Sequence, residues 1–176
     1  MTNAISFKEV NIVTKSLRAA FINPLGKTNE NHHGKTQHSM MMLIAKDDEE
    51  TLGKIELATK AAIYKMWKDD VPDFIDMPLK DGDGPKNAKG ESYPGYCQNC
   101  YLLNVSSPTP PDVVDMKKQP ITDPDELTFE FLYRVNIRAY AVANNDKNAV
   151  YFGLNAVQRS DKTARRRASD VFTTDE

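Results

Sequence analysis

Apolar and polar side chains alternate most regularly in the last third of the chain. In EFLYRVNIRAYAVAN, residues 130–144, Phe131, Tyr133, Val135, Ile137, Ala139 and Ala141 share one face, and Leu132, Arg134, Asn136, Arg138 and Tyr140 share the other. A period of two is that of a strand with one buried face. NNDKN then supplies a turn, and AVYFGLNAVQRS returns with Val150, Phe152, Leu154 and Ala156 on one side, so the two segments predict a hairpin. Earlier, FKEVNIVTKSLRAAFIN (7–23) is rich in β-branched and aromatic residues and predicts a first strand ending at the PLG turn. SMMMLIAK predicts a second strand, with Met40, Met41 and Met42 as packing residues, and CQNCYLLNVSS predicts another.

The period changes in DDEETLGKIELATKAAIYKMWKD, where Leu52, Ile55, Thr59, Ala62 and Met66 recur at helical spacing. Asp47 and Glu50 have capping-box spacing, and acidic residues crowd the helix start. The expected order is strand, strand, helix, strand, strand, strand. Two long stretches separate these elements, the Pro- and Gly-containing VPDFIDMPLKDGDGPKNAKGESYPGY and the Pro-containing SPTPPDVVDMKKQPITDPDEL. A small sheet must cover one face with the helix or close on itself. The expected fold is mainly β, an OB-like five-stranded antiparallel barrel with one substantial helix and long loops; an open α+β sheet is the alternative.

With 176 residues, 40% hydrophobic and 27% charged, the chain suits one domain with one core, and its short apolar runs do not suit a membrane span. The start, MTNAISFKEV, lacks the basic end and continuous apolar stretch of a secretory signal, so a cytoplasmic location is expected. A net charge of -2 gives no global attraction to a polyanion, and any such site must come from local segregation of charge.

Cys97 and Cys100 have the spacing of half a zinc site, but the remaining candidate ligands, His32, His33 and His38, lie far upstream. They read as ordinary strand or loop thiols. The acidic runs containing Asp81 and Asp83, and Asp123, Asp125 and Glu126, sit in turn-forming contexts without the ligand spacing of a calcium loop. Neither a nuclease-like carboxylate cluster nor a nucleotide-binding glycine motif can be assembled, so the expectation is a non-enzyme without metal or cofactor.

A groove for single-stranded nucleic acid needs cations for phosphates and exposed rings for bases. Arg134, Arg138 and Tyr140 supply both on one strand face, and Lys15 and Arg18 add cations from the first strand. Tyr93, Tyr96 and Tyr101 interleave with Lys86 and Lys89 around the central loop. At the C-terminus, Lys162, Arg165, Arg166 and Arg167 precede an acidic tip of Asp170, Asp175 and Glu176 that carries Val171 and Phe172. Such a tip can compete with nucleic acid for a basic groove or dock on a partner, Asp170, Phe172, Asp175 and Glu176 being the candidate contacts.

The ordered series LIAKDD (43–48), PLKDGD (78–83), YPGY (93–96), NVSS (104–107), PDVVD (111–115), YRVNIRAYAV (133–142) and GLNAVQ (153–158) resembles the phage and prophage proteins grouped as DUF2815, which are similar to phage single-stranded-DNA-binding proteins. The resemblance implies an OB-type core, sequence-tolerant binding of single-stranded DNA (ssDNA) without catalysis, and a structural role for Gly153, Leu154, Asn155 and Gln158. Residues 1–162 are then expected to be the ssDNA-binding domain and 163–176 a flexible tail, in a protein that protects or organises ssDNA in the host cytoplasm during phage replication or recombination. Expected partners are ssDNA, replication or recombination proteins held through the tail, and a second copy paired through exposed strand edges. The alternative is a phage protein-interaction or structural module on the same barrel.

Overall fold

The structure is a computed structural model that describes residues 10–26, 38–82, 99–144 and 147–163. In chain order it comprises β1 (Asn11–Val13), β2 (Arg18–Asn23), β3 (His38–Ala45), α1 (Glu49–Trp67), β4 (Leu79–Asp81), β5 (Cys100–Ser107), β6 (Asp112–Val114), β7 (Phe131–Ala143) and β8 (Asn148–Thr163). One 3-10 turn, Pro124–Glu126, precedes β7.

These strands form one eight-stranded sheet in the order β1-β7-β8-β5-β3-β2, with β4 added on β5 and β6 on β8. Most pairs are antiparallel, but β5 and β6 both run parallel to β8. The five-stranded antiparallel barrel expected from the pattern is therefore replaced by a larger mixed sheet that does not close, since no ladder joins its end strands β1 and β2. Two local causes account for the difference. The first predicted strand breaks after Val13, where the Thr14 hydroxyl accepts the Val135 N–H at 3.1 Å and takes a donor that strand pairing would otherwise use. Leu17 stays tied to β7, exchanging backbone bonds with Tyr133 at 2.9 and 2.8 Å, before β2 turns to pair with β3. The second cause is that β4 and β6, three residues each, lie in stretches that read as loop, the first through its Pro and Gly content and the second through its prolines.

The hairpin forms as its alternation predicts, with β7 and β8 paired from Phe131↔Thr163 to Ala143↔Asn148. Its inner face carries Tyr133, Val135 and Ile137 of β7 and Val150, Phe152 and Leu154 of β8, all buried. A bulge opposite Asn136 and Ile137 shifts the register, so that Val157 rather than Ala156 continues this inner row. Met40, Met42 and Ile44 of β3 and Leu103 and Val105 of β5 complete the core with Ile55, Ala58 and Ala62 of α1. Each large side chain buried this way contributes about 1.5–3 kcal/mol relative to exposure. The alanines let the helix approach the sheet closely, whereas Met66, placed on the helical stripe by spacing, is exposed.

The helix begins one residue later than the capping-box spacing suggests. Asp48, not Asp47, is the N-cap: its carboxylate accepts the Thr51 N–H at 3.2 Å and pairs with Lys15 at 2.9 Å. Gly26 has a φ of +63° and packs so closely on His38 that a Cβ there would clash with the ring. His38 in turn donates from Nδ1 to the Pro24 carbonyl at 2.9 Å. Cys100 is buried and disulfide-bonded, which corrects its reading as a free thiol; Cys97 lies outside the described residues.

Candidate nucleic-acid interface

Because the inner face of the hairpin is core, the even-numbered residues of β7 point the other way. Arg134, Arg138 and Tyr140 are exposed, and Asn136 is half-buried between them. Cross-strand partners share a face, so the register lays out successive rows: Tyr140 opposite Tyr151, Arg138 opposite Gly153, Asn136 opposite Ala156 and Arg134 opposite Gln158. β1 flanks these rows, with Asn11 opposite Arg138 and Val13 opposite Asn136.

At one end of this face the Tyr140 and Tyr151 rings meet at 5.8 Å between centroids, tilted by 43°. They are 42% and 40% exposed, so a packed aromatic pair still presents ring surface to solvent. Partial burial, followed by the neighbouring Tyr151, raises the Tyr140 hydroxyl above its ordinary pKa. Gly153 lies against this pair: a Cβ there would come into ordinary van der Waals contact with Tyr140 Cε1 at 3.7 Å and with the Arg138 and Ser106 carbonyl oxygens.

At the other end Arg134 is held in place, donating from Nε to the Thr14 carbonyl at 3.2 Å and from Nη1 to Gln158 Oε1 at 3.3 Å. Neither acceptor carries charge, so the guanidinium keeps its attraction for an anion. It lines a groove of about 350 Å³ with Val13, Asn136, Ala156, Gln158, Val114 and Lys118. Lys118 occupies a turn at φ +63°, fixed by Asp115, whose Oδ1 accepts the Lys117 and Gln119 N–H groups at 2.8 and 2.9 Å. Among the described residues, neither Arg138 nor Lys118 is paired with a carboxylate.

The sequence-predicted residues are thus divided. Arg134, Arg138 and Tyr140 share this face. Lys15 is committed to Asp48, and Arg18, exposed on β2, borders a different groove with Lys15, Asp47 and Asp48. Tyr101 has the parity of core-facing Leu103 and Val105 and lines an apolar groove against α1 and Met77. The Lys46 ammonium lies 5.4 Å from its ring centroid and pairs with Asp81 at 2.8 Å. Lys86, Lys89, Tyr93 and Tyr96, and the tail residues Asp170, Phe172, Asp175 and Glu176, lie outside the described residues. Sequence reasoning missed Tyr151 and Lys118. Tyr151 had a usable signal, since closing the hairpin at NNDKN places it opposite Tyr140; Lys118 had none, because its approach depends on β6 joining β8.

Cations spaced along a sheet face beside exposed rings can hold a polyanionic chain and stack its bases. Among the described residues no cluster of His, Cys, Asp or Glu could hold a metal ion, and no helix is long and apolar enough to cross a membrane. Residues 10–176 match the family described as Enterobacter phage Enc34, ssDNA-binding protein, and the chain belongs to that family of phage proteins. Among solved structures, it is similar to the single-stranded DNA-binding protein from bacteriophage Enc34 in complex with ssDNA, at TM-score 0.70 and 18% identity over 92% of this chain and 91% of that one. A second structure of the single-stranded DNA-binding protein from bacteriophage Enc34 gives TM-score 0.68 and 19% identity over 96% and 90% of the two chains. It also resembles gp2.5, a single-stranded DNA-binding protein encoded by bacteriophage T7, at TM-score 0.53 and 14% identity over 91% of each chain. No curated protein matches the chain.

Proposed function

We propose that this protein binds ssDNA without strong sequence preference along the outer face of β1, β7 and β8. Arg134, Arg138 and Lys118 take phosphates, and Tyr140 and Tyr151 stack on bases. The observation that carries this reading is the Tyr140–Tyr151 pair, exposed on the same face as Arg138. Packed rings contribute stability when buried; rings 40% or more exposed beside a cation with no carboxylate partner among the described residues are suited to a ligand with its own flat surfaces and negative charge. Membership of the phage ssDNA-binding family supports the same conclusion.

The protein then coats ssDNA in the cytoplasm of the bacterial host during phage replication or recombination. Its contacts on the bases are stacking contacts, which every base can make, and this favours tolerance of sequence. The short edge strands β1 and β2 are candidates for pairing between two copies. The acidic tip with Asp170, Phe172, Asp175 and Glu176 is proposed to compete with DNA for the cationic face and to dock on partner proteins.

Fluorescence anisotropy of labelled oligo-dT tests this, with duplex and RNA controls at two salt concentrations and with residues 1–167 compared to the full chain. Preferential, salt-weakened ssDNA binding that tightens on truncation is expected. Absence of ssDNA binding by both forms at micromolar protein would overturn it in favour of a protein-interaction module.

A further inference from the structure

Beyond the tyrosine rows, the same face ends in a carboxylate held by two lysines. Asp76 forms an isolated parallel bridge with Ala149, its N–H donating to the Asn148 carbonyl at 2.9 Å and its carbonyl accepting the Val150 N–H at 3.0 Å. Bridge partners share a face, and Ala149 has the parity of Tyr151, so the Asp76 side chain lies on the tyrosine side of the sheet. Its Oδ1 accepts from Lys80 Nζ at 2.5 Å and its Oδ2 pairs with Lys147 Nζ at 2.9 Å. The lysine side chains are 56% and 51% exposed against 25% for the carboxylate.

The geometry points to a third phosphate subsite on this face, formed by Lys80 and Lys147 and occupied in the DNA-free protein by the Asp76 carboxylate. This rests on the ssDNA reading above and extends it. A carboxylate with one lysine on each oxygen presents the same pair of acceptors as the two non-bridging oxygens of a phosphodiester. The spacing fits a repeating track. Arg134 and Arg138 are four residues apart, about 13 Å at the rise of a strand, and the Asp76–Ala149–Val142 row lies four residues beyond Arg138. The hydrogen bond to Asp76, and after it the neighbouring Tyr151, raise the Lys147 pKa above its ordinary value, which puts the ammonium in electrostatic reach of the stacking pair. Cations therefore lie on both sides of the ring pair, Arg134 and Arg138 on one and Lys80 and Lys147 on the other, and Asp76 offsets one of the last two charges until a phosphate replaces it.

The test is D76N in the full-length chain, titrated with a long and a short oligo-dT over a salt series. Freeing each lysine for phosphate is expected to steepen the slope of log K against log salt by about 0.7. At low salt the long oligonucleotide should bind about three- to fivefold tighter, the scale of a surface ion pair released from competition. The gain should vanish in D76N/K80Q/K147Q. Wild-type slope and affinity in a folded D76N, or a gain that survives loss of both lysines, would overturn the subsite. In the unmodified chain, Lys80 and Lys147 should lose reactivity toward acetic anhydride when long oligo-dT is bound; unchanged reactivity overturns the proposal even if D76N does not fold. Failure of the wild-type chain to bind ssDNA would reject the interface itself, whereas binding that depends on Arg138 but not on Asp76 would reject only this subsite.

Discussion

Tyr133 and Tyr140 stand seven residues apart on one strand and face opposite ways. Tyr133 has no exposed surface, and its hydroxyl donates to the Thr128 carbonyl at 2.7 Å. Burial pushes its pKa up to about 12, against a smaller opposing effect of Arg159. Tyr140 is 42% exposed and rests on Tyr151. An odd separation on a strand puts the two rings on opposite faces, so side-chain parity alone sends one tyrosine into the core and leaves the other on the face proposed to bind ssDNA. The cations divide similarly. Lys15 is paired with the helix N-cap, while Arg138 has no carboxylate partner among the described residues.

The contrast breaks most visibly at Tyr133. Tyr133→Ala should cost about 3–5 kcal/mol of stability, measured by urea unfolding, because it leaves a large cavity; the folded fraction should retain its affinity for oligo-dT. On the other face, Tyr140→Ala and Tyr151→Ala should each lose about 1–3 kcal/mol of ssDNA binding by anisotropy, with little change in Tm. A result in which Tyr140→Ala unfolds the protein but leaves binding unchanged would reverse the assignment.

A finer change is Tyr133→Phe, which removes only the hydroxyl and should cost about 1 kcal/mol at neutral pH. It should also alter the alkaline limb. The folded pKa of Tyr133 lies above its unfolded value of 10.0, so its contribution is complete below pH 10.0 and is lost as pH rises toward about 12. Wild type should therefore lose more stability than Tyr133→Phe across that window in pH-dependent urea melts. At the acid end, burial alone would raise the Asp48 carboxyl, but hydrogen bonds from Lys15 and Thr51 outweigh it and the net shift is downward. Its contribution is present above the unfolded value of 3.8 and is lost as pH falls through the lower folded value. Asp48→Ala should remove about 1 kcal/mol at neutral pH and flatten this acid limb.

What the sequence reveals follows the same physical division. The alternation in β7 is long enough to specify both faces, and the outward placement of Arg134, Arg138 and Tyr140 follows from it. The helix is legible because Ile55, Thr59 and Ala62 repeat at its period, though its cap shifts to Asp48 because that carboxylate finds both Thr51 and Lys15. Three-residue strands such as β4 and β6 are too short to show a period, and they turn a five-stranded expectation into an eight-stranded mixed sheet. Closing the hairpin register would have found Tyr151. Tyr101 reads from the sequence as a ligand contact, although packing is the commoner role of a strand tyrosine, and only its position beside Leu103 and Val105 places it against the helix.

The most direct test of the central claim is the salt dependence of oligo-dT binding by wild type and by the R134Q/R138Q double variant. Loss of two phosphate contacts should weaken binding and reduce the slope of log K against log salt by about 1.4. Binding with the wild-type slope by a folded double variant would show that ssDNA does not run along the outer face of β7.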